Sequence, residues 1–230
     1  MKLTHARIYV VESGGIRPVI LELATDEGIA GLGEAAIAYG VGGTAAAAMI
    51  RELCERYVFG QDPFRIEKLW CEMYDHSFWA KGGGPIVFAA MSAIEIALCD
   101  IKARALGVPV YDLLGGRVHD QLRTYANGWY FGCTDSRQLP KFAEKAVKDG
   151  YDALKFYPFA TVLETGKLRH PDRRAATDSI RVRKAAVEIV RSVREAVGPD
   201  VELMLDLTGG LTTEATIRFC RDIERYDIAY

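Results

Sequence analysis

The chain has no run of about 18 apolar residues, so no membrane-spanning helix is expected. Its 230 residues carry a net charge of −2, which offers no basic face to nucleic acid or to a membrane surface. The opening stretch, MKLTHARIYVVESGG, alternates like a strand. It lacks the apolar core and cleavage site of a signal peptide. The five cysteines (Cys54, Cys71, Cys99, Cys133, Cys220) are odd in number and widely spaced. That excludes a disulfide or zinc framework and predicts buried thiols in a reducing, cytoplasmic setting. Histidine is scarce, and His76 and His170 have no ligand spacing to each other, so both are expected to be structural or exposed. The glycine-rich loop Gly40–Gly43 is not followed by Lys-Ser/Thr or by a dinucleotide-binding pattern, which argues against a phosphate cradle.

What is present is an ordinary soluble-enzyme composition, with 50% apolar and 26% charged residues. Residues 3–11 and 18–25 alternate as half-buried strands, with Ala6, Ile8 and Val10 on one face of the first. A turn at Asp26-Glu27-Gly28 leads into a third strand, where Gly31 and Gly33 mark close backbone approaches. Thr44 is expected to cap an alanine-rich helix running to about Tyr57. Asp62-Pro63 is expected to open another, with Pro63 at its first position. After Gly82-Gly83-Gly84-Pro85, a helix over about 86–106 is apolar nearly all round, so it is expected to be buried on several sides. Gly107 and Pro109 end it.

From Gln121 the pattern changes. Strand-like stretches at 122–127, 153–159, 201–207 and 227–230 alternate with amphipathic helices at 137–148, 181–197 and about 213–226. This order predicts parallel βαβ units. The charged stretch 164–179 is expected to form a lid or surface insertion. The fold class is α/β: an α+β domain over 1–118, then the first part of a (β/α) barrel over 119–230. Four strands cannot close a barrel, so the chain reads as cut short.

The stretch VELMLDLTGG (201–210) ends an apolar strand in one acid, Asp206, before two glycines. A carboxylate at such a strand mouth is costly unless something offsets its desolvation. In a parallel barrel, that mouth is where active sites lie. The competing reading makes Asp206 a cap for the next helix, although Thr212 and Thr213 are better placed for that.

TDEGIAGLGE (25–34), FWAKGGGPIVFAAMSAIEIALCDIKARALGVPVYDLLGG (78–116), YAN (125–127), ALKFYPF (153–159) and LMLDLTGGLT (203–212) together resemble the mandelate racemase-like branch of the enolase superfamily. The 82–116 segment looks most like the sugar-acid dehydratases of that branch. The resemblance implies a capping domain on a TIM-type (β/α) barrel, Mg²⁺ as cofactor, and removal of a proton α to a carboxylate. It makes Asp206 the first metal ligand and Lys155 the lysine that faces the substrate carboxylate. Tyr157 stands where many relatives have a catalytic base, on the same strand face as Lys155. Arg17 and Tyr39 match loops that close over substrate.

Each residue has a plainer alternative. Lys155 could snorkel from a strand end, Tyr157 could be a packed phenol, and Arg17 and Tyr39 could be solvated surface. The resemblance implies dehydration of a sugar acid, a small carboxylate substrate, by a homo-oligomer. Racemisation or cycloisomerisation is the alternative chemistry. A non-catalytic fragment or binding protein is the alternative class.

Overall fold

The computed structural model describes residues 1–12, 16–159 and 179–230, and the backbone of a short hairpin at 161–162 and 168–169. The expected lid at 164–179 and His170 lie outside the described residues, apart from that backbone and Ser179. The chain folds as two compact units, Met1–Asp120 and Gln121–Tyr230.

In the first unit, β1 (Leu3–Val10), β2 (Val19–Thr25) and β3 (Ala30–Ala35) form an antiparallel sheet in that order. Val19, Leu21 and Leu23 alternate along β2 and are fully buried. β1 carries an irregularity between Leu3 and His5. Leu3 and Ala6 are three residues apart, yet they pair with Thr25 and Leu23 on one face of β2. That is what an extra residue in a strand does. The expected inward face of β1 holds for Ala6 and Ile8, which pack on the core, but Val10 at the strand end is exposed.

Four helices follow: α1 (Gly43–Leu53), α2 (Ile66–His76), α3 (Pro85–Leu106) and the single turn α4 (Val110–Leu113). α3 is the hub of this unit. Ala90, Ala93, Ile94, Ala97, Leu98 and Ile101 are buried along it, and Gly107 ends it in the left-handed conformation at φ 67°. Gly31 and Gly33 let β3 lie directly on it. A Cβ on Gly33 would overlap the Ala93 carbonyl oxygen, and one on Gly31 the Ala97 oxygen. Asp100 of α3 accepts from the Leu32 N–H at 2.9 Å and from Arg104 Nε at 3.0 Å, so a helix carboxylate satisfies a backbone donor on this strand.

Two helix starts differ from expectation. α1 begins after Gly42, and Thr44 lies inside it with no side-chain cap. Its α-helical part ends at Leu53, and one wider turn, Cys54–Val58, carries the chain on. Asp62-Pro63 forms a turn in which Asp62 Oδ1 accepts from the Phe64 N–H at 3.0 Å; α2 starts only at Ile66. An Asp side chain that satisfies the backbone two residues on competes with helix initiation.

In the second unit, β4 (Ala126–Asn127), β5 (Ala153–Phe156) and β8 (Glu202–Leu205) pair in parallel in that order. The hairpin strands are β6 (Thr161–Val162) and β7 (Leu168–Arg169). The helices are α5 (Leu139–Lys148), α6 (Ile180–Val197) and α7 (Thr213–Ile223). β4 is shorter than the expected 122–127: Leu122 is exposed, and Arg123 turns to Asp152 and Glu202 at 3.1 and 2.8 Å. The 227–230 stretch makes a single parallel bridge, Ile228 to Leu203, rather than a full strand.

Leu154, Phe156, Leu203 and Leu205 share one core with Ala143, Val190, Val193 and Phe219 from the helices. Arg194 on α6 holds the helix-to-strand connections. It donates to the carbonyls of Gly198 (2.8 Å), Val201 (2.6 Å), Tyr226 (2.9 Å) and Asp227 (2.9 Å). Cys54 and Cys133 are buried, but Cys71 and Cys220 are exposed, which corrects the expectation for those two thiols. Both lie on solvent faces of amphipathic helices, where the heptad-like pattern leaves room for any small residue. No helix among the described residues is long and apolar enough to cross a membrane.

Candidate active site

Register builds the site. Asn127, Lys155 and Met204 are neighbours across the three parallel strands. Side chains alternate along a strand, so Lys155 and Met204 face away from the helix-packed core side of Leu154, Phe156, Leu203 and Leu205, with Asp206 just past the strand end. Tyr157, past the end of β5, joins that buried core instead of keeping the expected alternation. The Asp206 N–H donates to the Phe156 carbonyl at 3.0 Å, which continues the ladder to the strand ends. Lys155 and Asp206 therefore meet at the carboxyl ends of neighbouring strands. Lys155 Nζ lies 3.0 Å from Asp206 Oδ2.

Around this pair the chain is tied down. Trp129 Nε1 donates to the Lys155 carbonyl at 3.0 Å, and Lys155 Nζ sits 5.9 Å from the centre of the Tyr125 ring. The Thr208 N–H donates to Asp206 Oδ1 at 2.9 Å. Thr212 caps α7, its hydroxyl accepting from the Ala215 N–H at 3.2 Å. Asp206 is thus not the helix cap. The hydrogen bond and charge of Asp206 hold the Lys155 ammonium above its ordinary pKa, so the lysine stays charged. The Lys155 side chain is 18% exposed and that of Asp206 44%, so the pair opens to solvent on the carboxylate side.

Tyr157 is 4% exposed and packs 6.1 Å from Phe159, centre to centre. Burial pushes its phenol above the ordinary value. A hydrogen bond with Thr208 works the other way, and the Asp206 charge adds to the rise. The resting phenol is therefore protonated at neutral pH.

Arg17 and Tyr39 belong to the first unit. Their loops lie side by side there, with the Arg17 N–H donating to the Ala38 carbonyl at 2.7 Å. The Arg17 side chain reaches Glu12 at 3.3 Å, and Tyr39 is 77% exposed. The three residues of the second unit are brought together; these two are described only within their own unit. Tyr125 and Trp129 were not singled out as parts of the site by the sequence; Thr208 stands where the resembled family often has Asn or His after the ligand, and no role was expected of it. The period-two register of YANGW against ALKFY could have pointed to the first two, whereas the Thr208 contacts depend on a backbone conformation with no sequence signal.

Magnesium takes about six oxygen ligands in near-octahedral geometry. Asp206 is a hard oxygen donor at an open rim and suits one such position. Among the described residues, no group of three His, Cys, Asp or Glu converges to complete a metal site. One carboxylate already paired with an ammonium does not make a Mg²⁺ site alone.

The second half of the chain, residues 138–230, matches the family model for the enolase C-terminal domain-like fold. Residues 9–115 match that for the mandelate racemase / muconate lactonizing enzyme N-terminal domain. D-galactonate dehydratase of Ralstonia nicotianae is 38% identical over 227 residues, covering 98% of this chain and 53% of the relative. D-gluconate dehydratase of Thermoproteus tenax is 38% identical over 171 residues, covering 74% of this chain and 32% of the relative. A crystal structure from Mesorhizobium loti is 54% identical, with a TM-score of 0.91, over 99% of this chain and 58% of that one. The chain thus spans about half the length, or less, of the curated relatives it matches. With an α+β N-terminal domain and a partial, barrel-like C-terminal domain, it belongs to the mandelate racemase / muconate lactonizing enzyme family of the enolase superfamily.

Proposed function

We propose that this chain carries part of the active site of a Mg²⁺-dependent sugar-acid dehydratase acting on an aldonate or aldarate. The supporting observation is the 3.0 Å Lys155–Asp206 pair at the carboxyl ends of parallel strands, with Tyr157 beside it. The names of relatives, D-gluconate and D-galactonate dehydratases, support the substrate class. In this reaction a proton leaves the carbon next to the carboxylate and a hydroxyl leaves the following carbon, so water is lost. The enol product then becomes a 2-oxo acid. The barrier lies in the carbanion, whose charge spreads onto the carboxylate as an enediolate and needs fixed positive charge nearby.

Lys155 supplies that charge. Its ammonium is held by Asp206 and backed by the Tyr125 ring, so it is oriented before substrate arrives. Asp206 would offer one oxygen to Mg²⁺, with further ligands needed beyond those that converge among the described residues. A bound Mg²⁺ would add Lewis-acid stabilisation of the same enediolate. Tyr157 handles the proton. Because the resting phenol is protonated, a role as base requires that proton to leave first, and only the Thr208 hydroxyl favours the phenolate, against burial and the Asp206 charge. Arg17 and Tyr39 are assigned to substrate contact from the first unit. The free thiols suit a cytoplasmic, reducing setting, and a homo-oligomer remains part of this reading.

The test is an assay of D-gluconate and D-galactonate in an enzyme that contains these 230 residues. We expect 2-oxo acid to form with Mg²⁺ and to stop with a chelator. Lys155→Met should abolish turnover. Exchange of the C2 proton without water loss would favour racemisation. Binding of sugar acids with no proton exchange would identify a non-catalytic binding protein.

A further inference from the structure

Thr208 sits two residues past Asp206 with φ at 49°, in the left-handed region. A β-branched residue seldom adopts this conformation, because its side chain crowds the neighbouring backbone. Among the described residues, Asp227 is the only other non-glycine with positive φ, and aspartate tolerates that region better. Glycine or asparagine would make the same turn with less strain. The threonine is therefore not there for the turn alone.

Its two polar groups reach the two neighbouring candidate residues. The N–H donates to Asp206 Oδ1 at 2.9 Å, while Oδ2 of the same carboxylate meets Lys155 at 3.0 Å. The hydroxyl lies on the side of the Tyr157 phenol. Both hydroxyl oxygens crowd one point beside Gly210: a Cβ there would lie 3.6 Å from Tyr157 Oη and 3.9 Å from Thr208 Oγ1. Losing either contact would free a side chain whose position matters to within an ångström.

We propose that Thr208 is a positioning residue, whose strained turn clamps the Asp206 carboxylate and the Tyr157 phenol at a fixed separation. The chemistry it serves rests on the dehydratase reading; the clamp itself does not.

The first readout needs no turnover. The 230-residue chain is labelled with 3-fluorotyrosine, and the Tyr157 signal is identified by its loss in Tyr157→Phe. Thr208→Val should shift that fluorine signal and leave the other tyrosines in place, and Thr208→Ser should restore it. Thr208→Gly, which relieves the backbone, should keep or raise Tm while shifting the same signal, so the measurement survives if the valine variant folds poorly. In an active enzyme, Thr208→Val should lower kcat on the order of 10- to 100-fold with KM little changed, and Thr208→Ser should recover most of it. An unmoved Tyr157 signal in both the valine and glycine variants would overturn the clamp, as would wild-type kcat in Thr208→Val. Absence of turnover in the wild type would count against the dehydratase reading and leave the fluorine result to decide the clamp.

Discussion

Tyr157 and Gly33 show how differently single residues can matter here. Tyr157 is buried and its phenol holds its proton. If it moves the substrate proton, Tyr157→Phe should cut kcat about 100-fold or more while Tm changes little. An unchanged rate in steady-state kinetics would reduce it to a packed ring. Gly33 touches no chemistry. Its missing Cβ is what lets β3 lie on the α3 backbone at Ala93. Gly33→Ala should destabilise the first unit by about 3 kcal/mol, read from denaturant midpoints, because backbone on both sides must move apart. The close approach at Gly31 and Gly33 was legible from two glycines alternating in an apolar strand. So was the meeting of Lys155 with Asp206, since both close apolar strands of consecutive βα units. The Thr208 contacts were not legible, because a left-handed threonine has no composition or spacing that announces it.

At the scale of elements, helix starts were the hardest feature to read. Asp62-Pro63 carries two strong initiation signals, yet Asp62 bonds the Phe64 N–H and spends its oxygen on a turn. Thr44 lies two residues past Gly42, which already makes the entry at φ 120°, so its hydroxyl is left inside the helix. Where an Ser/Thr oxygen does reach the N–H three residues on, as at Thr212 and Ser179, the helix begins beside it. Thr212→Ala should therefore cost about 1 kcal/mol in thermal or chemical unfolding, with Asp206 unable to substitute. Arg194 carries more. It donates to four carbonyls that leave α6, enter β8 and leave α7. Burial lowers its pKa, but an arginine of this kind remains charged at any physiological pH. Arg194→Ala should destabilise the second unit by about 3 kcal/mol, and Arg194→Lys should recover little, since one ammonium cannot span four acceptors. A small effect of the alanine variant on urea unfolding would show that water replaces the guanidinium at little cost.

For the whole molecule, the order of parts was readable from the change of hydrophobic period near Gln121, because antiparallel meanders and βαβ units pattern their residues differently. The length of each strand was not readable. Pairing partners set it, and Arg123 leaves the ladder for a charged contact at the strands' opposite ends. The metal is the quantity that tests the molecule as a unit. Asp206 offers Mg²⁺ one carboxylate, and Lys155 already neutralises it at 3.0 Å. No group of three His, Cys, Asp or Glu forms a metal site around it among the described residues. Mg²⁺ holds its own water tightly and yields it only to several oxygens in octahedral array. The 230-residue polypeptide made alone should bind Mg²⁺ no more tightly than about 1 mM, worth about 4 kcal/mol. Asp206→Asn should change that weak affinity little, and sugar acids should not be turned over. Titration calorimetry on wild type and variant measures this directly. Binding in the micromolar range that disappears with Asp206→Asn would show that these residues complete a site by themselves, and the need for further ligands would then be overturned.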